Sequence, residues 1–250
     1  MKKYLIGATT LLLLGSLVVW GYFAGHWRLN YPSQTEFRVR GIDVSHHQGE
    51  IDWQAVAKEG YRFVYIKATE GGDFKDSVFQ RNWAEAKLNG LAVGAYHFFT
   101  FCKPGKTQAA NLIESVPEEA GALPPVIDFE FVGNCAERPP KEDVLKELSA
   151  FADIVEKKYR KPPVLYVTSP AYSQYLAGQA DRYRLWIRDV FRRPGRFDER
   201  DWTIWQYSDN TRVNGIHGLV DQNVFNGNEE GFQSFLQARA NHSLDRPAAK

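Results

Sequence analysis

Short apolar runs alternate with helix-like stretches over most of this chain, and that alternation constrains the fold more than any other feature. Eight runs have the length and composition of buried strands: 41–45, 63–69, 92–98, 125–131, 164–168, 185–189, 203–207 and 219–224. Helical patterns fit between the early runs: 52–59, 76–89, 107–115, 141–159 and the shorter 171–176. Strands that alternate with helices form parallel sheets, and eight of them predict a closed barrel.

The last third of the chain departs from this alternation. Residues 190–202 contain Pro194 and Gly195 and show no helical period, and only 11 residues separate the last two predicted strands. A parallel crossover needs about a dozen residues or more, so these two strands are predicted to be antiparallel neighbours. The predicted fold is an irregular TIM-like α/β barrel. It has about five regular βα units followed by three strands with little helix between them.

Composition is that of an ordinary globular protein. The 250 residues are 44% hydrophobic and 24% charged, and 31 basic against 30 acidic residues leave a net charge of +1. This balance gives no reason to expect nucleic acid as a partner. The 7 Trp, 12 Tyr and 16 Phe supply flat apolar faces, which suit both a core and a sugar-binding cleft.

The N-terminus predicts export. Lys2 and Lys3 precede 21 uncharged residues at 4–24, a length that can span a bilayer. A cleaved signal peptide begins in the same way. The pair of small residues expected for cleavage is absent around 20–24, which favours an uncleaved signal anchor. The two lysines place the N-terminus inside. The body is then membrane-anchored and faces the periplasm or cell exterior, or is secreted if cleavage occurs.

The predicted organisation has four parts: a signal anchor or signal peptide at 1–24, a polar linker at 25–39, a barrel domain at 40–238 and a flexible tail at 239–250.

Export favours a disulfide between the two cysteines, Cys102 and Cys135. Cys102 lies five residues after His97, near the end of the third strand, and Cys135 lies five residues after Glu130, near the end of the fourth. Neighbouring parallel strands would carry both cysteines into adjacent loops.

Two acidic residues share one face of an otherwise apolar strand. Asp128 and Glu130 alternate with Ile127, Phe129 and Phe131. The acids therefore point into the barrel, and the apolar side chains face the helices. Buried acids carry a large desolvation cost, and adjacent like charges keep one of them protonated near neutral pH. Their place at the carboxyl end of a barrel strand is where such folds carry their chemistry.

Other strands direct polar side chains at the same interior. By the same alternation Asp43 and Ser45 face inward from the first strand, and Asp221 and Asn223 from the eighth. Further inward positions are Lys67, Thr69, Tyr166, Thr168, Trp186 and Arg188. On the third strand either Tyr96 or His97 faces inward. The alternative interpretation is a buried network in which the acids pair with Lys67 or Arg188, with each aromatic packed in the core.

Other kinds of chemistry find no support. His46 and His47, together with Asp43, Asp128 and His97, would be the candidate metal ligands. However, adjacent strand residues point in opposite directions, and no spaced histidine pair completes a ligand set. The sequence contains no serine-hydrolase elbow, phosphate-binding loop or dinucleotide fingerprint. We therefore predict neither a metal nor a cofactor.

Nine motifs, in order along the chain, together resemble the glycoside hydrolase family 25 lysozymes. They are GIDVS at 41–45, QGEIDW at 48–53, FVYIKATEG at 63–71, GAYHF at 94–98, DFE at 128–130, YVT at 166–168, LWI at 185–187, IWQY at 204–207 and VDQN at 220–223. The resemblance implies a muramidase that acts on peptidoglycan glycan strands, and we expect the protein to be a monomer. Such an enzyme cuts the β-1,4 bond between N-acetylmuramic acid and N-acetylglucosamine.

The resemblance also implies roles for individual residues. Glu130 corresponds to the catalytic acid and Asp43, Asp128 and Asp221 to supporting carboxylates. The implied substrate-binding residues are Tyr96, Tyr166, Trp186 and Gln206, together with Lys67. One departure concerns subsite specificity. After LWI the family usually has a small residue and then an aromatic, whereas this chain has Arg188-Asp189-Val190.

Two mechanisms and two rival functions remain open from the sequence. Asp128 is either a nucleophile or the group that holds the substrate's 2-acetamido group while that attacks, and retention is favoured. A chitinase-like glycosidase would need an acid where Val126 stands. An inactive cell-wall-binding module would not need the four carboxylates.

Overall fold

A computed structural model describes residues 2–196 and 198–238, with side chains from residue 9 onward. The strands are β1 Arg40–Val44, β2 Phe63–Glu70, β3 Phe74–Lys75, β4 Ala92–Phe98, β5 Val126–Phe129, β6 Val164–Thr168, β7 Arg184–Arg188, β8 Ile204–Thr211 and β9 Val220–Phe225. The helices are α1 Lys2–Phe23, α2 Trp53–Lys58, α3 Phe79–Leu88, α4 Gly105–Ser115, α5 Lys141–Tyr159, α6 Ser169–Ala171 and α7 Glu229–Gln237. A π-helical turn, Tyr172–Leu176, continues α6.

Eight strands close into a barrel in the order β1-β9-β8-β7-β6-β5-β4-β2, and β2 pairs again with β1. Neighbouring strands are parallel except around β9, which is antiparallel to both β8 and β1. The prediction of antiparallel final strands is therefore confirmed. Five βα units precede β7, and no helix separates β7, β8 and β9, as predicted for an irregular barrel. The short β3, which was not predicted, forms a hairpin with β2.

The long helix α5 begins and ends as its apolar spacing predicts, at Lys141 and Tyr159. Val144, Leu148 and Phe151 are buried on the face that packs against the barrel. By contrast, α7 was not predicted. Its Phe232 and Phe235 pack with strand residues in the second core cluster, inside the barrel, so the final helix belongs to the fold.

Large side chains fill the barrel interior below the mouth. Tyr65 is fully buried, and its ring centroid lies 5.0 Å from that of Trp186. Gly94 on the neighbouring strand makes room for it, because a Cβ there would lie 2.3 Å from the Tyr65 ring. The interior is therefore a packed core, and open space is left near the carboxyl ends of the parallel strands.

A bulge in β2 changes which side chains face inward. The register with β4 shifts between Lys67 and Thr69, so the alternation that holds up to Lys67 does not extend to Thr69. The expectation that Thr69 faces inward is wrong. Its hydroxyl lies 2.7 Å from Nδ1 of His97, whose ring stacks on Phe151 of α5. His97 therefore faces the helices, and Tyr96 is the inward residue of β4.

The segment between α1 and β1 has no regular secondary structure and lies against the barrel. The side-chain amide of Asn210 donates to the carbonyl oxygens of Tyr22 and Trp27, at 2.8 and 3.2 Å. The amide of Asn30 donates to the carbonyl of Val190 at 2.6 Å. Phe37 is buried in the outer core. The predicted linker is therefore packed against the domain along part of its length.

Within the residues whose side chains are described, no helix is both long enough and apolar enough to cross a membrane. The predicted tail at 239–250 lies outside the described residues.

Candidate active site

The predicted acids meet in one pocket at the mouth of the barrel. The pocket is lined by Asp43, Tyr96, Val126, Asp128, Glu130, Tyr166, Trp186 and Asp221. These residues come from β1, β4, β5, β6, β7 and β9, and Glu130 directly follows β5. Up to 178 positions separate them in the chain. The closed barrel thus assembles four carboxyl groups and three aromatic side chains that strand alternation predicts to face inward.

Asp43 lies at the centre of a buried hydrogen-bond network. Its Oδ2 accepts a 3.0 Å hydrogen bond from Nε2 of Gln206 and a 2.7 Å hydrogen bond from Nδ2 of Asn223. Burial raises the pKa of Asp43, and these two amides oppose that shift. Two donors to one carboxylate oxygen favour its ionised form.

Asp221 stands opposite Asp43 on the neighbouring strand. Burial raises the pKa of Asp221 well above its ordinary value, and the nearby Asp43 charge raises it further. The proximity of the two carboxyl groups lowers the pKa of Asp43 and raises the pKa of Asp221. We therefore assign the proton of this pair to Asp221 and the negative charge to Asp43.

Asp128 and Glu130 form the second carboxyl pair. Burial raises the pKa of Asp128 well above its ordinary value, and the charge of Glu130 raises it further. Oδ1 of Asp128 is buried and has no hydrogen-bond partner among the described residues. Burial also raises the pKa of Glu130, to about 7, although Arg188 and Lys67 oppose the shift. Glu130 therefore keeps its proton in mildly acidic solution.

Two buried amides that touch Asp43 are themselves held by aromatic side chains. The Tyr166 hydroxyl donates to Oε1 of Gln206 at 3.0 Å, and Nε1 of Trp186 donates to Oδ1 of Asn223 at 2.9 Å. Each aromatic donor fixes the orientation of its amide, so that the NH₂ group points at Asp43. Strand alternation predicts that Asn223 faces inward, but it does not predict the hydrogen bond from Asn223 to Asp43.

Two of the predicted substrate-binding residues do not line the pocket. Gln206 is 1% exposed, and both ends of its amide are engaged. Lys67 faces the barrel interior, where its Nζ lies 2.8 Å from Oε2 of Glu70. The same ammonium group lies over the rings of Phe74 and Phe98. Gln206 thus supports Asp43 without lining the pocket, and Lys67 lies beside the pocket, where its charge acts on Glu130.

Arg188, at the end of β7, does not line the pocket itself but stands at its rim, close to the lining residues Tyr166, Glu130 and Asp221. Its Nη2 lies 2.5 Å from Oδ2 of Asp209 on β8, and both side chains are 32% exposed. Its charge lowers the pKa of Glu130, Asp43 and Asp221. Strand alternation identified Arg188 as inward-facing, but Asp209 could be found only once β8 was placed beside β7.

The two cysteines lie in the loops after β4 and β5. Both are free thiols in this structure, Cys102 exposed and Cys135 half-buried. Burial raises the pKa of the Cys102 thiol, and the adjacent Cys135 adds to the shift. Oδ1 of Asn134 also joins the loops, since it accepts 3.0 Å hydrogen bonds from the backbone of Phe101 and Cys135. The disulfide stays a prediction.

Comparison with known proteins gives a family match. Residues 42–216 match the model of the glycosyl hydrolases of family 25. A solved structure described as a family 25 glycosyl hydrolase from Bacillus anthracis is 42% identical, with a TM-score of 0.77. That alignment covers 84% of this chain and 98% of the other.

Two further relatives match over 205 residues each. Uncharacterized protein YegX of Escherichia coli O157:H7 is 40% identical, over 80% of this chain and 74% of its own length. Lysozyme M1 of Streptomyces globisporus is 32% identical, over 76% of this chain and 68% of its own length. The resemblance drawn from the sequence motifs is confirmed. The chain therefore belongs to the glycosyl hydrolases of family 25 and is a glycoside hydrolase.

Proposed function

We propose that this protein is a peptidoglycan hydrolase that cleaves the β-1,4 bond between N-acetylmuramic acid and N-acetylglucosamine. The observation that carries the proposal is the carboxyl pair of buried Asp128 and half-buried Glu130, in a pocket walled by Tyr96, Tyr166 and Trp186. The similarity to Lysozyme M1 supports the choice of substrate. We also propose that the protein acts as a monomer.

Glu130 is the proposed general acid. Its pKa of about 7 leaves it protonated in mildly acidic solution, where it donates that proton to the leaving glycosidic oxygen. After the bond breaks, the same carboxylate accepts a proton from the attacking water. Arg188 and Lys67 keep the pKa of Glu130 from rising further, so that both steps take place near neutral pH.

Asp128 is the proposed partner at the anomeric carbon. Its buried Oδ1 has no partner in the part of the chain that the structure describes, and a buried acceptor of this kind calls for a donor. The N–H of a substrate 2-acetamido group would supply one while the acetamido oxygen attacks the anomeric carbon. This favours acetamido-assisted retention over direct attack by Asp128.

Asp43 and Asp221 are proposed to stabilise developing positive charge. Asp43 is ionised and fixed by Gln206 and Asn223. A preorganised negative charge near the anomeric centre stabilises an oxocarbenium-like transition state without reorganisation during the reaction. Asp221 carries the proton of the pair, which leaves the negative charge on Asp43.

Digestion of purified peptidoglycan by the full chain tests the proposal. Reducing-end analysis should show new N-acetylmuramic acid ends, and Glu130→Gln should lower turnover by about 10²- to 10⁴-fold. Glu114→Gln, a substitution at a carboxylate that is 66% exposed, is the matched control and should keep wild-type turnover. New N-acetylglucosamine ends would favour the chitinase-like alternative, and binding without turnover would favour the inactive module.

We also propose that the barrel is exported and stays attached to the membrane through residues 1–24. The support is the run of 21 uncharged residues after Lys2 and Lys3. Cell fractionation and sequencing of the mature N-terminus test this. We expect the protein in the membrane fraction, with the uncharged segment 4–24 still present. A soluble protein that begins near His26 would rule out the anchor.

A further inference from the structure

The inward face of β7 ends in a cation at the rim of the pocket. Trp186 and Arg188 face the barrel interior, while Ile187 between them packs in the outer core. Trp186 is buried, but the Arg188 side chain keeps 32% of its surface exposed. The Arg188 side chain therefore keeps exposed surface beside Glu130 and Asp221 of the pocket.

Asp209 holds this guanidinium from one side. Oδ2 of Asp209 accepts from Nη2 of Arg188 at 2.5 Å, and within residues 2–196 and 198–238 it is the only hydrogen-bond acceptor for that side chain. A guanidinium carries five N–H donors in a fixed plane. An arginine fixed by one carboxylate therefore keeps donors in the geometry that a second carboxylate accepts.

The other cation of the mouth, Lys67, is already engaged. β2 and β7 lie four strands apart in either direction around the barrel, so Lys67 and Arg188 stand on opposite walls. The Lys67 side chain is only 12% exposed, is paired with Glu70, and lies over Phe74 and Phe98. Of the two cations, Arg188 is the one open to a ligand.

A cation at the rim of the pocket favours the binding of anionic substrates, because the pocket itself is acidic. Four carboxyl groups line the pocket, and those that are ionised repel an anionic group on an incoming glycan. A neutral hexosamine strand meets no such repulsion and needs no guanidinium. A glycan strand that carries carboxylates gains from the guanidinium donors of Arg188, which lies beside Glu130 and Asp221.

We propose that Arg188, held by Asp209, is a specificity-determining residue that binds a carboxylate carried by the muramoyl units of the glycan. The proposal rests on the proposed function, since it names the feature of the muramoyl unit that the site recognises. The carboxylate belongs either to the free lactyl group of a muramoyl unit without peptide or to an attached peptide. In both cases the enzyme prefers a glycan strand that carries carboxylates to an uncharged glycan strand.

Kinetics on three substrates test this proposal. The substrates are intact peptidoglycan, glycan strands stripped of peptide by an amidase, and the same stripped strands with their carboxyl groups converted to amides. Turnover is measured near pH 5, below the pKa of Glu130, so that loss of the Arg188 charge does not change the protonation of the acid. The variants are Arg188→Gln, Arg188→Lys and the surface control Arg182→Gln.

Recognition of the lactyl carboxylate predicts that Arg188→Gln raises KM about tenfold on stripped strands and leaves KM on amidated strands unchanged. Recognition of a peptide carboxylate predicts the rise on intact peptidoglycan alone. Arg188→Lys should recover part of the loss, because it restores the charge without the planar fork. Asp209→Asn should raise KM in the same direction, with thermal unfolding as the check on folding.

Equal KM values for wild type and Arg188→Gln on every acidic substrate would overturn the inference. An equal loss on acidic and amidated strands would overturn it too, as would a fall in kcat at constant KM. In each of these cases the wild-type enzyme still cleaves the strands, so the proposed function stands. A wild type that cleaves none of the three would instead refute the proposed function, and the inference with it.

Discussion

Nε2 of Gln206 donates a 3.0 Å hydrogen bond to Oδ2 of Asp43, across 163 positions of the chain. The other end of the same amide accepts from the Tyr166 hydroxyl at 3.0 Å. Tyr166 thereby fixes the amide, and the amide fixes the Asp43 carboxylate. The orientation of an acid in the pocket is thus controlled by a buried residue that does not line the pocket.

Gln206→Ala should damage both stability and activity. The substitution leaves the Tyr166 hydroxyl without its acceptor and Asp43 without one donor, and an unsatisfied buried polar group costs about 1–3 kcal/mol. We expect a lower free energy of unfolding in denaturant titration and a kcat at least tenfold lower on peptidoglycan. The exposed Gln233→Ala is the control. Unchanged kcat in Gln206→Ala would show that Asp43 needs no support from this amide.

The pH dependence of kcat should follow the ionisation of Glu130. Burial raises the pKa of Glu130 to about 7, and a general acid must be protonated to act. Activity should therefore be present below this pH and fall as pH rises through about 7. The kcat profile on soluble glycan fragments measures the alkaline limb. A limb near the ordinary glutamate value would contradict the assignment of Glu130.

Most of the fold and the acids of the site were predictable because strand alternation is local. Each of Asp43, Asp128 and Asp221 takes its direction from its immediate neighbours along the strand. Thr69 was placed wrongly because the bulge in β2 depends on pairing with β4, which no local pattern reveals. Asp209 was missed for a similar reason, since its contact with Arg188 exists only once two strands lie side by side.

The buried acids should make the protein less stable as pH rises. The folded protein raises the pKa of Asp128 well above its ordinary value, so the unfolded chain releases that proton at a lower pH. The stability contributed by protonated Asp128 is full below the unfolded pKa and is lost as pH rises toward the folded pKa. The side-chain amide of Asp128→Asn has the same shape as the carboxyl group and stays uncharged at every pH. The variant therefore does not lose stability in this way as pH rises.

Asp128→Asn should therefore raise Tm by a few degrees at about pH 8 and by less at about pH 4, where the folded protein keeps the Asp128 proton and the unfolded chain has released only about half of it. Differential scanning calorimetry at the two pH values measures the difference. Asp153→Asn, at a carboxylate that is 61% exposed, is the control. A stability gain of the same size at both pH values would show that charge is not its cause.

A disulfide between Cys102 and Cys135 is predicted for the protein isolated under oxidising conditions. The bridge would join the loops after β4 and β5, beside Glu130, and close a loop of about 30 residues, worth about 3–4 kcal/mol in the chain-entropy model. Alkylation followed by mass spectrometry should find no free thiol before reduction and two afterwards. Reduction should lower Tm in the wild type and leave Tm unchanged in Cys102→Ser. Two alkylated cysteines in the unreduced, exported protein would contradict the bridge.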